Sequence, residues 1–103
     1  MKLIQELSEM VDDEIRDVHR YAAKAIEVKE KYPELAETFI ALSKSEGDHM
    51  NKLHTQVARL IQDYRNKHGE PPGEMMAVYD YLHKKQIESY AEAKRLQDIY
   101  SGR

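Results

Sequence analysis

The clearest helical pattern of the chain lies in residues 14–54, which read EIRDVHRYAAKAIEVKEKYPELAETFIALSKSEGDHMNKLH. Helix-favouring residues fill this stretch, and Pro33 is its single proline. Because proline disfavours helical backbone at the residue before it, Tyr32 should lie at a break, while Pro33 suits the first turn of a second helix. The stretch therefore predicts a hairpin of two helices.

The pattern continues on both sides of this hairpin. The glycine- and proline-rich stretch Gly69–Gly73 ends the second helix, and helix formers resume after it. We predict helices over about 3–31, 34–67 and 74–100, and we find no strand pattern. Since short loops make neighbouring helices pack antiparallel, the prediction is one all-α domain of three long antiparallel helices.

Apolar residues recur at spacings of three and four along both helices of the hairpin, and we predict that these stripes face the core. They comprise Leu3, Leu7, Met10, Val18, Tyr21, Ala25, Val28 and Tyr32 in the first helix, and Leu35, Phe39, Leu42, Leu53, Val57, Leu60 and Tyr64 in the second. Glu14 interrupts the first stripe, and Glu46 and His49 interrupt the second. Counted from the break at Pro33, the three groups lie at similar depth in an antiparallel hairpin.

A carboxylate on an apolar stripe needs a partner, because burying an isolated ionised carboxylate is very costly. Glu46 and His49 are three residues apart and so point the same way from one helical turn. Carboxylate and imidazole groups are ligands of first-row transition metals, so we predict Glu14, Glu46 and His49 as metal ligands. The alternatives are a Glu14 that pairs with lysine or arginine or turns to solvent, and a Glu46–His49 hydrogen bond that fixes dimer register.

The hairpin resembles the first hairpin of the ferritin-like superfamily, in particular of its rubrerythrin-type members. The resemblance is carried by Glu14-x6-Tyr21, by the turn at Pro33–Ala36 and by Glu46-x2-His49, with 31 residues between the two glutamates. It implies that Glu14 is a terminal or bridging carboxylate, Glu46 a bridging one and His49 a nitrogen ligand. It also implies that Tyr21, our candidate catalytic residue, packs or hydrogen-bonds beside the site.

One chain supplies only half of the ligands that such a bundle uses, because a di-iron bundle takes a glutamate from two helices and Glu-x-x-His from two others. The third helix offers only the weak echo Asp80-x2-His83. The chain is similar in this respect to encapsulated ferritins, short chains whose metal site forms at a dimer interface. The resemblance therefore implies a ferritin-like bundle completed by homodimerisation, holding two Fe, or Fe with Mn, with ferroxidase- or peroxidase-like activity.

A second interpretation is a metal-free helical module that self-associates or binds another protein. Its Glu/His layer would set register, and a partner would bind the tyrosine-rich face of the third helix, comprising Tyr79, Tyr81, Tyr90 and Tyr100. Among the weaker ligand candidates, we expect Asp17 on a solvated face and His83 as a hydrogen-bonded interface histidine. His19, His54 and His68 are expected at the surface.

The composition excludes several classes of protein. A chain of 103 residues is enough for one domain, and a net charge of −3 gives no basic surface for nucleic acid. Without cysteine there is no thiolate ligand and no rubredoxin-like module for electron delivery. No run of about 18 apolar residues is present, so we expect no transmembrane helix, and the early charges of Met1–Glu6 favour a cytoplasmic location. We expect no organic cofactor.

Overall fold

The computed structural model describes residues 2–102, which form three α-helices: α1 (Lys2–Val28), α2 (Pro33–His68) and α3 (Gly73–Tyr100). Within this range no strand occurs, so the prediction of an all-α bundle of three long helices is confirmed. Across the same residues, none of the helices combines the length and the apolar character that crossing a membrane requires.

The turn between α1 and α2 forms around Pro33, as expected, but α1 ends at Val28 rather than near residue 31. Residues 29–31 form a turn, and the backbone N–H of Tyr32 donates to the Val28 carbonyl at 2.8 Å. Tyr32 is non-helical, with φ −132° and ψ 69°, because it precedes proline. These residues form the connection to α2, and α1 is therefore shorter than predicted.

The connection between α2 and α3 begins at Gly69, whose φ of 78° lies in the left-handed region that favours glycine. Its backbone N–H donates to the Arg65 carbonyl at 2.9 Å and so caps the last turn of α2. The short segment 69–72 then leads directly into α3.

The core consists of three apolar clusters along the length of the bundle. They comprise Ile4, Val57 and Ile61 at one end, Val11, Ile15 and Met50 near the middle, and Ala22, Ala25, Ala36, Ile40 and Tyr100 at the other end. One tyrosine of α3 contributes to each cluster: Tyr79, Tyr90 and Tyr100 in turn. Large rings from α3 therefore fill the space between α1 and α2.

At the turn end, one cluster ties all three helical segments together. The Lys29 ammonium donates to the Tyr100 carbonyl and lies over the Tyr100 ring at 4.6 Å from its centroid. The Tyr100 hydroxyl donates to the Glu37 carboxylate at 2.8 Å. The last turn of α3 is thus fixed to the first turns of α2 and to the residues that follow α1.

The buried face of the hairpin lies beside the predicted stripes rather than on them. It comprises Ile4, Ser8, Val11, Ile15, Val18, Ala22 and Ala25 in α1, and Ala36, Ile40, Ser43, Gly47, Met50, Val57 and Ile61 in α2. The prediction was wrong for Leu3, Met10, Tyr32, Leu35 and Leu42, which are 40–55% exposed. Each helix carries two adjacent apolar stripes, and α3 covers the one with many small residues, because small side chains allow close helix approach.

We call the uncovered stripe the open face; it comprises Leu3, Met10, Glu14, Leu35, Leu42, Glu46 and His49. It points away from α3. Asp12 accepts a hydrogen bond from Gln86 of α3, while Met10, about 200° away around α1, is 49% exposed. The open face is therefore an apolar surface with a polar centre, without a covering helix in the described chain.

Candidate metal centre

Glu14 of α1 meets Glu46 and His49 of α2 at the middle of the open face. One ligand atom from each residue lies within 4.8 Å of the other two. The His49 Nδ1 atom is 3.7 Å from Glu14 Oε2 and 3.7 Å from Glu46 Oε2. The structure thus brings together the three residues that the sequence predicts as ligands.

The apolar core sets the level at which these groups meet. Val11 and Ile15 of α1 pack in one cluster with Met50 of α2. Glu14 precedes Ile15 and His49 precedes Met50, so this contact brings both ligand candidates to the same height. Glu46 lies one helical turn before Met50 and joins them from the same side of α2.

The two carboxylates are largely withdrawn from water, whereas the imidazole is not. The Glu14 and Glu46 side chains are 24% and 19% exposed, and His49 is 53% exposed. Glu14 Oε2 is buried and has no hydrogen-bond partner among the described residues. A separation of 3.7 Å exceeds the range of an N–H···O hydrogen bond, so His49 does not satisfy it. Leaving such an acceptor unsatisfied costs about 1–3 kcal/mol, and more when it is charged.

The donor set fits a first-row metal ion. Metal–oxygen and metal–nitrogen bonds of about 2.0–2.2 Å place neighbouring ligand atoms of one ion roughly 3.0–3.5 Å apart. The two observed separations of 3.7 Å from His49 Nδ1 are slightly wider than this range. Three protein ligands leave coordination positions that face away from this chain.

Lysine and arginine do not neutralise these carboxylates. Over residues 2–102 the ion pairs made by lysine or arginine are Arg16–Asp13, Arg20–Asp17, Lys24–Glu27 and Arg65–Glu70. Neither Glu14 nor Glu46 takes part in them, and Asp17 pairs with Arg20 on the helix surface, as expected for a solvated face. The pairing of Glu14 with a basic residue, one of our alternatives, is therefore not what the structure contains.

Tyr21, the candidate catalytic residue, lies about 10 Å further along α1 than Glu14. Its ring stacks on Phe39 with centroids 6.1 Å apart, and the Arg20 guanidinium lies 5.3 Å from its centroid. These are packing contacts, and a role at the metal centre stays a prediction.

The sequence analysis missed a second polar pair, which lies between α2 and α3. His54, expected at the surface, is partly buried, and its Nε2 lies 2.7 Å from the Nε2 of His83 on α3. Burial and the neighbouring His83 lower the pKa of His54. The signal was available: His54 follows Met50 by four residues and precedes Val57 by three, so it belongs to the buried stripe of α2 once that stripe is placed correctly.

Comparisons of the chain with protein-family models, with curated proteins and with solved structures found no match. The ferritin-like resemblance of the hairpin therefore stays a prediction. A function for this chain has to be inferred from its own residues and their geometry.

Proposed function

We propose that two copies of this chain pack through their open faces and together hold a di-metal centre of iron or manganese with ferroxidase- or peroxidase-like activity. In this proposal the dimer is a ferritin-like bundle whose helices pack antiparallel within each hairpin. Glu14, Glu46 and His49 of each copy are the ligands.

The observation that carries the proposal is the buried Glu14 Oε2 atom, which has no partner among the described residues although Glu46 and His49 converge on it. A cation at this point would satisfy all three side chains. Carboxylate oxygens with one imidazole nitrogen are the donor set of iron and manganese sites rather than of thiolate or all-imidazole sites. His49 is 53% exposed, so an ion held by one copy alone would keep open coordination positions on that side.

A second copy is needed for the site to be complete. Two chains related by a two-fold axis contribute four carboxylates and two imidazoles, a full di-metal set. Apolar residues surround the ligands along the helices: Met10 lies one turn before Glu14, Leu42 one turn before Glu46, and Leu53 one turn after His49. Burying these side chains against a partner would stabilise the dimer and exclude water from the ligands.

The side chains at this site would have different roles. Glu14 and Glu46 are hard anionic donors that favour the ferric over the ferrous state, and His49 supplies a neutral nitrogen. Met10 and Leu42 lower the local polarity, which strengthens the electrostatic effect of the carboxylates. Bound iron or manganese supplies redox chemistry toward O₂ or peroxide.

A metal-free self-association module remains the second candidate, because the apolar open face by itself favours association. In that case the His49 imidazole, 3.7 Å from each carboxylate, sets register across the interface instead of binding metal. The predicted tyrosine face of α3 does not form as expected, because Tyr79, Tyr90 and Tyr100 pack in the core clusters. Exposed Tyr81, together with Val78, would then form the separate surface for another protein.

Metal analysis separates the two candidates. Protein purified without chelator should contain about two Fe or Mn ions per two chains by inductively coupled plasma mass spectrometry, and Glu46→Ala should lose them. Asp48→Ala is the matched control, because Asp48 is an exposed acidic residue two positions away on α2. A metal-free dimer with full helicity would count against the metalloprotein.

Thermal melting gives an independent test. A ligand that binds only the folded protein raises its stability by about 2.7 kcal/mol at a hundred times its Kd. Fe(II) under anaerobic conditions, or Mn(II), should therefore raise the Tm of the wild type and leave that of Glu46→Ala unchanged. If neither ion shifts the wild-type Tm, the self-association module is the better description.

A further inference from the structure

The second imidazole pair, His54 and His83, lies between α2 and α3, on the stripe of α2 that α3 covers, whereas the metal centre proposed above lies on the open face. Its two Nε2 atoms are 2.7 Å apart, and the rings are nearly parallel, with an interplanar angle of 16°. We propose that this pair is a second cation site, which takes one borderline first-row ion of the Zn²⁺, Ni²⁺ or Cu²⁺ class.

The pair presents the donors that such ions prefer. Imidazole nitrogen suits zinc, nickel and copper, whereas carboxylate-rich sets suit harder ions. Without metal, one Nε2–H donates to the other Nε2, so the two rings share a single proton. With metal, both rings carry their proton on Nδ1 and direct an Nε2 lone pair at the ion. The two Nε2 atoms can therefore form a hydrogen bond with each other when no metal is present, or each can bind a metal ion.

The rearrangement needed for binding is small. A tetrahedral ion with Zn–N bonds of about 2.0–2.1 Å holds two nitrogens roughly 3.3 Å apart, so the pair must open by about 0.6 Å. Both side chains are only partly buried and have room for this movement. The backbones of α2 and α3 need not move.

Neighbouring side chains hold one ring in place. Tyr79 lies one turn before His83, and the two rings stack at 15° with centroids 5.7 Å apart. Tyr79 is itself packed against the apolar cluster of Ile4, Val57 and Ile61. One face of the His83 ring is therefore supported by a side chain that the core holds in place, which limits the orientations of the ring without preventing a small shift.

The remaining coordination positions open into a cavity of about 340 Å³ that both histidines line. Asn51, Gln86 and the buried Met50 also line it. This volume holds several water molecules, which can complete the coordination of the ion.

Binding at this pair would join the two helices by coordination bonds. The polar side-chain contacts between α2 and α3 include the His54–His83, Ser43–Gln97 and Glu37–Tyr100 pairs, and the last two are in the half near the turn. A cation at His54 and His83 therefore strengthens the attachment of α3 near its beginning. Its expected signature is a rise in Tm as well as heat of binding.

The test removes the first site so that only the second can respond. In the Glu46→Gln/His49→Gln background, isothermal titration with Zn²⁺ should give about one ion per chain, and Zn²⁺ should raise the Tm. Adding His83→Gln should abolish both effects. Adding His19→Gln, at an exposed histidine of α1, is the matched control and should preserve them.

Electron paramagnetic resonance of Cu²⁺ bound to the same double variant provides a readout that does not depend on folding of His83→Gln. The spectrum should show coupling to two imidazole nitrogens at one equivalent of Cu²⁺. Absence of Zn²⁺ binding in the double variant, or binding that survives His83→Gln, would overturn the proposal and leave the pair as a hydrogen bond. Since the first site is absent, the result holds whether or not the Glu14 site binds iron.

Discussion

Ser43 and Glu14 lie at similar depth, one on the side of the hairpin that α3 covers and the other on the open face, and they differ in their hydrogen bonding. On the side covered by α3, the Ser43 hydroxyl donates to the Val18 carbonyl at 2.7 Å and accepts from the Gln97 amide at 2.9 Å. On the open face, Glu14 Oε2 is buried and has no partner among the described residues. The covered group is satisfied within the chain, and the open one is not.

The same contrast holds about three helical turns further along the bundle. Gln86 of α3 donates to the Ser8 carbonyl, to the Ser8 hydroxyl and to the Asp12 carboxylate, all within 3.1 Å. His49, in contrast, stands 3.7 Å from both of its carboxylates. The polar groups named on the covered side are matched by hydrogen bonds within the chain, whereas Glu14 Oε2 on the open face has no hydrogen-bond partner among the described residues.

The largest effect is expected from removing apolar surface on the open face. Leu42→Gln should weaken the proposed homodimer at least about tenfold, because Leu42 is 40% exposed in the single chain, burial of that part contributes roughly 0.6–1.2 kcal/mol, and a two-fold interface carries the change twice. Sedimentation equilibrium measures the Kd. The control is Val78→Gln on α3, 59% exposed, which should leave the Kd unchanged. The reverse result would assign the interface to α3.

On the covered side, Ser43→Ala should lower the free energy of unfolding by about 1–3 kcal/mol, because the buried Val18 carbonyl and Gln97 amide lose their partner. Urea denaturation of metal-free protein measures this change in the free energy of unfolding. Ser45→Ala, an exposed change two residues away, should stay within about 0.5 kcal/mol. Equal effects of the two variants would mean that the buried hydrogen bonds contribute nothing specific.

The opposite sign is expected at the centre of the open face. In metal-free protein, Glu14→Gln should stabilise the fold by up to about 1 kcal/mol, since a neutral amide is less costly to bury than an unpaired carboxylate oxygen. The same variant should lose the Tm increase produced by Mn(II). Glu9→Gln, exposed on α1, serves as control in both measurements. A clear loss of metal-free stability in Glu14→Gln would show that the carboxylate has a structural partner.

Gly47 lies between the open face and the side covered by α3, since it follows Glu46 in the chain and lies beneath Tyr90 of α3. A Cβ at this position would be 3.2 Å from the Tyr90 hydroxyl oxygen. Gly47→Ala should therefore yield little of the roughly 1 kcal/mol that alanine normally adds to a helix interior. In a Tyr90→Phe background the gain should reach about 0.5–1 kcal/mol by urea denaturation. An equal gain in both backgrounds would rule out a steric reason for the glycine.

The smallest effect concerns the His54–His83 pair in metal-free protein. Burial and His83 lower the pKa of His54 below its usual value of 6.5, so the unfolded chain binds a proton at that ring more readily than the folded one. Stability from this group is full above about pH 6.5 and falls as the pH drops below it. Denaturation between pH 5 and 8 with chelator present should show a shallower fall in His54→Gln than in wild type or His19→Gln. If the free energy of unfolding falls with pH equally in His54→Gln and in the wild type, the lowered pKa of His54 does not contribute to the pH dependence.

Much of the fold followed from local signals. Pro33 and Gly69 mark the two breaks because their backbone preferences act regardless of tertiary contacts. The buried stripe could not be predicted in the same way, since α1 and α2 each carry two adjacent apolar stripes. The position of α3 decides between them, and that depends on how closely Ala22, Ser43 and similar small residues let the helices approach.

The candidate centre was predictable for a related reason. The heights of Glu14, Glu46 and His49 along the helices follow from the number of residues between each of them and the turn at Pro33, and these numbers can be counted in the sequence. The pairing of His54 with His83 depends on the register of α3 against α2, and no motif in the sequence encodes it. The level at which residues of α1 and α2 meet could therefore be predicted from the turn, whereas the buried stripe of each helix and the contacts to α3 could not.

The cluster of Lys29, Glu37 and Tyr100 gives the third helix a preferred direction of opening. Its final turn is held there by both neighbours, whereas its first turns carry exposed apolar residues such as Val78 and Tyr81. Local separation should therefore start at Gly73 and spread toward Tyr100. The cavity beside His83 would then become accessible to ions from solvent while the far end of the bundle stays closed.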